Sequence, residues 1–277
     1  MRRFQLLPAP PLLPYIDRLW GWEGDGPIAL PTLLPGTGAE LYFHYRAPFR
    51  YSAGAHGLQA CAPAHLLCLR SGPLALAAAT QVGFIAVRFR AGMLARFTAV
   101  PAAQLQDRPL DIADIWGVPG QVCASRVATA DSQAGRLALI QDFLLRQMRP
   151  SGTDALVECA VSMLYRARGE LTIEQLASRL QLGRRQLERR FQAATGQTPA
   201  GLRRLCRFQH TVRALLLTPD APGLDTALRH GYYDQAHFIH EFRRLAQASP
   251  QRYLHQARGM THFYNPPRTL GGTMQAP

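Results

Sequence analysis

The stretch Ile173–Leu202 reads IEQLASRLQLGRRQLERRFQAATGQTPAGL, and its spacing decides what the C-terminal part of the chain is. Ile173, Leu176, Ala177 and Leu180 fall on one side of a short helix, with Thr172 and Gln175 placed as N-cap and capping-box partner. Gln181-Leu182-Gly183 makes a tight turn, in which Gly183 is free to take a positive φ. A second helix, Arg184 to Ala194, turns Leu187, Phe191 and Ala194 inward, and Gly196 stops it. Its other face carries Arg184, Arg185, Gln186, Glu188, Arg189 and Gln192. Guanidinium forks and amides on a helix suit base edges and phosphates in a major groove. For one isolated unit, an ordinary solvated basic face is an equally good reading.

The plan recurs. Displaced by 51 positions, Ile173 falls on Leu224, Ala177 on Leu228, Leu182 on Tyr233, Leu187 on Phe238 and Phe191 on Phe242. Ala194 falls on Leu245, and Thr198-Pro199 on Ser249-Pro250. The second unit is expected to bury Leu224, Ala227 and Leu228 in its support helix and to turn at Gly231-Tyr232-Tyr233-Asp234. Its second helix, Gln235–Leu245, buries Phe238, Phe242 and Leu245 and shows Gln235, Ala236, His237, Ile239, His240 and Arg243. Between the units, apolar residues of Ala200–Leu217 recur at three and four, which predicts one helix of about 27 Å. Neighbouring major-groove faces of DNA lie roughly 34 Å apart. Two helix-turn-helix units on one such rod favour a DNA reader over a coincidental bundle.

On these residues, positions from about 154 to 256 resemble the DNA-binding domain of the AraC/XylS family of bacterial transcription regulators. The resemblance is carried by Leu176-Ala177, by GRRQLERRF from Gly183 to Phe191, by Gly196-Gln197-Thr198-Pro199 and by GYYDQAHF from Gly231 to Phe238. Glu241-Phe242-Arg243-Arg244 and Ser249-Pro250-Gln251-Arg252-Tyr253 complete it. It covers a little over a third of the chain. The resemblance implies double-stranded DNA as partner, with base contacts from Arg185, Glu188 and Arg189 and from Gln235, Ala236, Ile239 and His240. Arg184 joins them as a DNA-binding residue, and His237 stands either on a phosphate or in support. The family usually has arginine where this chain has His240, which implies a weaker contact there. RNA polymerase is a further partner that the family implies.

Ahead of this domain the pattern is different. Met1–Pro14 reads as an extended lead-in, and short strands are expected at Ile16–Trp22, Ala29–Leu34, Glu40–Tyr45, Leu66–Arg70, Leu74–Thr80 and Val82–Phe89. Such spacing suggests a small β-barrel or sandwich. Helical patterns follow at Gly92–Phe97, Pro101–Gln106, Ile112–Trp116 and Gly135–Met148, with Gly117–Ser132 expected as a loop. The apolar stripe of Gly135–Met148 is expected to pack on the barrel rather than on a twin. LPYIDRLWGWEGDG, LLPGTGAELYFHY and FIAVRFRAGMLARF are similar to an N-terminal domain of unassigned function found in a subset of AraC-type regulators. By analogy this would be a cupin-like barrel that senses an unknown small-molecule effector and supports a homodimer. The fold class is thus α+β: a cupin-like barrel with flanking helices, then an all-α domain with two helix-turn-helix units joined by a long helix. The expected divisions are 1–149, 150–258 and a disordered tail at 259–277, with Pro150-Ser151-Gly152 as linker.

The 277 residues carry a formal charge of +13, and all 31 basic residues are arginine. The excess is denser over 151–258 than over 1–150, as a nucleic-acid footprint requires, although the total alone also suits a membrane surface. Five scattered cysteines without a Cys-x-x-Cys suggest reduced thiols in a cytoplasm. No run approaches 18 apolar residues, and the start is too short and proline-rich for a secretory signal. No cofactor is expected and no enzyme motif is found. Glu40, Tyr42 and His44 share one face of a strand, but His56, His65 and Cys61 fall in loop-like sequence, so no metal set can be placed. Trp20, Trp22, Tyr42, Phe43, Tyr45, Phe84 and Phe89 either line a pocket or, more simply, fill the core. The rival reading of the whole chain is a sensor or enzyme barrel with a helical protein-interaction domain.

Overall fold

The computed structural model describes residues 2–52, 57–68, 70–105, 107–149, 154–218 and 223–258. The expected linker Pro150-Ser151-Gly152, the tail from Gly259 and His56 lie outside these residues. An antiparallel β domain is followed by a helical one.

The sheet is built from six strands. They are β1 (Arg2–Leu6), β2 (Ile16–Ile28), β3 (Glu40–His44), β6 (Ala64–Leu67), β7 (Ala79–Phe89) and β8 (Leu110–Asp111), in the spatial order β1-β2-β7-β3-β6-β8. A separate hairpin pairs β4 (Arg50–Ser52) with β5 (Leu58–Ala60). The lead-in read as extended chain supplies β1, paired along β2 from Arg2 opposite Glu23 to Leu6 opposite Leu19. Gly24-Asp25-Gly26-Pro27, beyond the expected strand Ile16–Trp22, is also part of β2. The ladder to β7 absorbs it as an irregularity between Asp25 and Ile28, with Gly26 at φ 93° and Pro27 where no ladder hydrogen bond is needed. Ala29–Leu34 and Leu74–Thr80 are mostly not strands. They meet in a single bridge, Leu33 to Leu74, and bury Leu30, Leu33, Leu74 and Leu76 as a cover over the sheet.

Alternation along the strands gives the sheet two buried faces. Leu19, Leu41, Phe43, Ile85, Val87 and Phe89 pack beneath α1 (Ile112–Thr129) and α2 (Gln133–Gln147). Trp20, Trp22, Tyr42 and Phe84 point the other way, edge to face at 5.2–6.0 Å between ring centres, beneath the hairpin and the cover. The aromatic residues therefore fill cores, and two different ones. The stretch expected as a loop, Gly117–Ser132, is mostly α1. The helix breaks at Gly117 (φ 57°, ψ −140°) and restarts through Pro119, then buries Gly120, Cys123 and Val127 at helical spacing. Periodicity failed there because Val118 and Val122 face outward, which left only small apolar residues inside. α2 turns Ile140, Phe143 and Leu144 onto the same core, as its stripe predicts.

The helical domain runs α3 (Ala155–Arg166), α4 (Ile173–Arg179), α5 (Arg184–Thr195), α6 (Pro199–Leu217), α7 (Gly223–Arg229), α8 (Gln235–Ala246) and α9 (Pro250–Arg258). α6 is the shared rod. Leu202 and Cys206 complete a core with α3, α4 and α5, whereas Leu205, Phe208, Val212, Leu215 and Leu216 complete another with α7, α8 and α9. The two domains touch. Arg96 holds Glu158 of α3 through two hydrogen bonds of 2.7 and 2.8 Å, Leu34 enters the second helical core, and Gln209 of α6 donates to the Pro35 carbonyl.

Candidate nucleic-acid interface

The first unit is assembled from local signals. Thr172 accepts the Gln175 N–H at 3.1 Å, and the Gln175 side chain accepts the Thr172 N–H at 3.0 Å, a complete capping box. The positive φ of the turn belongs to Gln181 (φ 55°) and not to Gly183, which sits extended at φ −66° as N-cap of α5. Leu187 and Phe191 are fully buried, and Gly196 ends the helix in the left-handed region. Asp154 caps α3 and takes both Arg190 nitrogens at 2.7 Å, which ties α5 to the start of the domain. That guanidinium holds the Asp154 carboxyl below its ordinary value.

The second unit follows the same plan with one extra residue in the turn. α7 matches α4 at a displacement of 50, whereas α8 matches α5 at 51. The left-handed residue is Gly231 here and Gln181 there, and the buried alanines are Ala227 and Ala177. A uniform displacement of 51 therefore misassigns the support helix. Ala227 is buried as expected, but Leu224 and Leu228, also expected inside, are 38% and 42% exposed and Tyr233 is 88% exposed, while Thr226 and Tyr232 are buried in their place.

What holds this turn is a buried polar clamp that the spacing did not reveal. Glu241 of α8 accepts from Arg207 of α6 at 2.6 Å and from the Tyr232 hydroxyl at 2.8 Å. Arg207 also donates to the Gly231 carbonyl at 3.2 Å and lies over the Tyr232 ring, 4.5 Å from its centre. Burial, and then the facing Glu241 carboxylate, push the Tyr232 phenol well above its usual range, so it stays a donor. A charged residue in the middle of an apolar helical face, here Glu241 between Phe238 and Phe242, was the available sign.

The residues expected at DNA divide by environment. Arg185 and Arg189 on α5, and Gln235, Ala236 and His240 on α8, are exposed. Arg184 is exposed but ion-paired, with Glu174 at 2.6 Å and Glu188 at 3.0 Å, so Glu188 shares its carboxylate with a neighbour. Ile239 is only half exposed because it also packs against the second core. His237 leans back on the turn: its Nδ1 lies 3.3 Å from the Tyr233 N–H, and its backbone N–H donates to the Asp234 cap at 2.7 Å.

The sheet offers weaker candidates. His65 lies on β6 and not in a loop, stacked between Tyr42 and His44 at 5.1 and 5.3 Å. Burial holds His44 well below its usual pKa and pushes His65 down to about 4. Among the described residues no group of three or more His, Cys, Asp or Glu is placed to hold a metal ion. All five cysteines are free thiols, and burial pushes Cys61, Cys123 and Cys206 up to about 12. No described helix is long and apolar enough to cross a membrane. Sequence reasoning also missed a cavity of about 420 Å³ between the domains, walled by Leu94, Arg149, Val157, Val161, Arg190 and Leu202 among others.

Comparison with known proteins agrees with this division. Residues 176–256 match the helix-turn-helix domain of AraC type, and residues 4–111 match a domain of unknown function, DUF6597. No curated protein matches the chain. Among solved structures, the C-terminal domain of AraT, a response regulator from Geobacillus stearothermophilus, is 24% identical. It covers 43% of this chain and 98% of its own, with a TM-score of 0.36. ToxT from Vibrio cholerae O395 is 12% identical over 94% of this chain and 98% of its own, at a TM-score of 0.47. A ToxT structure from V. cholerae strain SCE256 with bound unsaturated fatty acid is 11% identical over 94% and 96%, at 0.44. The chain thus carries a DUF6597 domain at residues 4–111 and an AraC-type helix-turn-helix domain at residues 176–256, whose two helix-turn-helix units share one helix.

Proposed function

We propose that the two units dock in consecutive major grooves of a promoter, with α5 and α8 as the reading helices. The observation that carries this is the division of each second helix into a buried apolar edge and an exposed polar one, on units held by one rod. α6 spans 19 residues, about 29 Å at 1.5 Å per residue, which is within reach of the roughly 34 Å between successive groove faces. Arg185 and Arg189 are the base-reading forks of the first unit, with Glu188 beside them. Arg184, already shared with two carboxylates, suits phosphate register. In the second unit Gln235, Ala236 and His240 face the bases and Ile239 contributes its exposed half. His237 supports the turn.

The domain of residues 1–149 acts as the sensing part and that of 150–258 as the reading part. A small-molecule effector alters how the two units are presented by favouring one arrangement of the domains over another. The cavity between them suits such a ligand, since its walls come from both. A homodimer and contact with RNA polymerase complete the reading. The test is the salt dependence of binding to duplex DNA. A reader that neutralises several phosphates loses affinity linearly in log salt, with a slope of about −0.9 per phosphate. A helical domain built for protein contacts would show almost no binding and a flat slope.

A further inference from the structure

The face of the sheet that carries the aromatic rings ends in a row of charge. Arg18 on β2, Arg88 on β7 and Glu40 on β3 are register partners across neighbouring strands, so their side chains leave the sheet on one side. Two arginines directly opposite each other in an antiparallel pair repel and need a reason. Arg70, arriving after β6, brings a third guanidinium to the same carboxylate, and Arg213 of α6 adds a further positive field on Arg18. Glu40 is already committed: Arg88 lies 3.4 Å from one oxygen, and the Tyr42 hydroxyl donates to the other at 2.8 Å. Asp17, half exposed, lies 3.7 Å from Arg18.

Between these groups lies a cavity of about 70 Å³, lined also by Gln209 of α6 and Tyr253 of α9. One Arg70 nitrogen donates to the Leu34 carbonyl at 2.7 Å, whereas its Nε is buried and has no hydrogen-bond partner among the described residues. Burial pulls the Arg18 and Arg70 guanidinium groups below their ordinary pKa, although Glu40 works against it. Arg70 and Arg88 thus share the single carboxylate of Glu40, the buried Arg70 Nε has no partner among the described residues, and a planar donor fork is the group that binds oxyanions.

We propose that this cavity is a binding site for a compact oxyanion of the phosphate or sulfate class, held by Arg18, Arg70 and Arg88. Its size excludes a nucleotide. Because α6 and α9 line it, the bound anion links the sheet to the second helix-turn-helix unit and stiffens that contact. The assignment is independent of how the chain reads DNA.

The test uses the full chain, exchanged into a chloride buffer free of phosphate and sulfate. Sodium phosphate, sodium sulfate and sodium acetate are titrated separately at constant ionic strength, and binding is read by calorimetry and by the melting midpoint. The expected result is saturable one-site binding of phosphate or sulfate with a raised midpoint, weakened about tenfold or more in Arg70→Gln. The exposed Arg146→Gln on α2 should bind as the parent does. If Arg70→Gln melts too early to titrate, Arg18→Gln, on a different strand, reads the same loss. Absence of saturable binding by both phosphate and sulfate, or undiminished binding in both variants, would overturn the proposal.

Discussion

The two helix-turn-helix units share a backbone plan but not a means of holding it. The first is held by the capping box at Thr172 and by α3, through Asp154 on Arg190 and through Val157, Ala160, Val161 and Leu164 in its core. The second is held by Glu241, buried between the turn and Arg207 of the rod. Their exposed faces differ in parallel: arginine and glutamate on α5, amide, methyl and imidazole groups at the start of α8. The lesson is that a repeat can keep its geometry while its polar residues change roles. At a displacement of 51, Glu241 stands where the first unit has Arg190, so one position carries a cation paired with Asp154 in one copy and a buried carboxylate paired with Arg207 in the other.

The sharpest way to break the comparison is to unfold one unit at a time. Leu187→Asp and Phe242→Asp each bury an unpaired charge in a different core, and each should cost about 4 kcal/mol or more. Far-UV circular dichroism melts should show partial loss of helix, and the footprint on DNA should shrink to the opposite half in the two cases. A melt identical to the parent would contradict the core assignment.

Next in size is Glu241→Ala. It leaves Arg207 buried beside Tyr232 without its carboxylate, at a cost of about 3 kcal/mol. Chemical denaturation measures this, and Glu188→Ala in the first unit, an exposed pair, should stay within about 1 kcal/mol of the parent. Similar costs for both would contradict the assignment of Glu241 as a buried clamp.

Reading differs between the units by a smaller amount. Arg189→Ala should lose about 1–3 kcal/mol of binding and relax preference at one base pair, and Gln235→Ala should do so at a base pair in the other half-site. Competition binding against single-base variants of the site separates the two. Equal weakening on every sequence would make either residue a phosphate contact.

The finest contrast is at the caps. Asp234 accepts the His237 N–H at 2.7 Å, so Asp234→Ala should cost about 1 kcal/mol. Gly183 caps α5 with no side chain and has open space around it, so Gly183→Ser should gain a few tenths of a kcal/mol. Thermal melts of the two variants should move in opposite directions.

The helical half was readable because its signals are local. The three- and four-residue spacing of Leu187 with Phe191 and of Phe238 with Phe242 marks buried edges, and Thr172 with Gln175 marks a start. Glycine type alone pointed to Gly183 for the positive φ, whereas the inward Leu224 comes from the repeat. A one-residue insertion in the second turn is invisible to a repeat taken at constant displacement, and only Gly231, aligned with Gln181, betrays it. The sheet was less readable because its partners are distant in sequence. β1 has no alternating pattern of its own and is a strand because β2 lies beside it. The Arg18–Arg88–Glu40 row exists only once β2, β7 and β3 are in register, so no motif could announce it.

The central claim is that both units engage DNA together, about one helical turn apart. Hydroxyl-radical footprinting of the full chain on duplexes selected from a random library tests it most directly. The account predicts two protected windows on one face of the duplex, about 10 base pairs apart, the first lost in Leu187→Asp and the second in Phe242→Asp. A single window, unchanged in one of those variants, would contradict it.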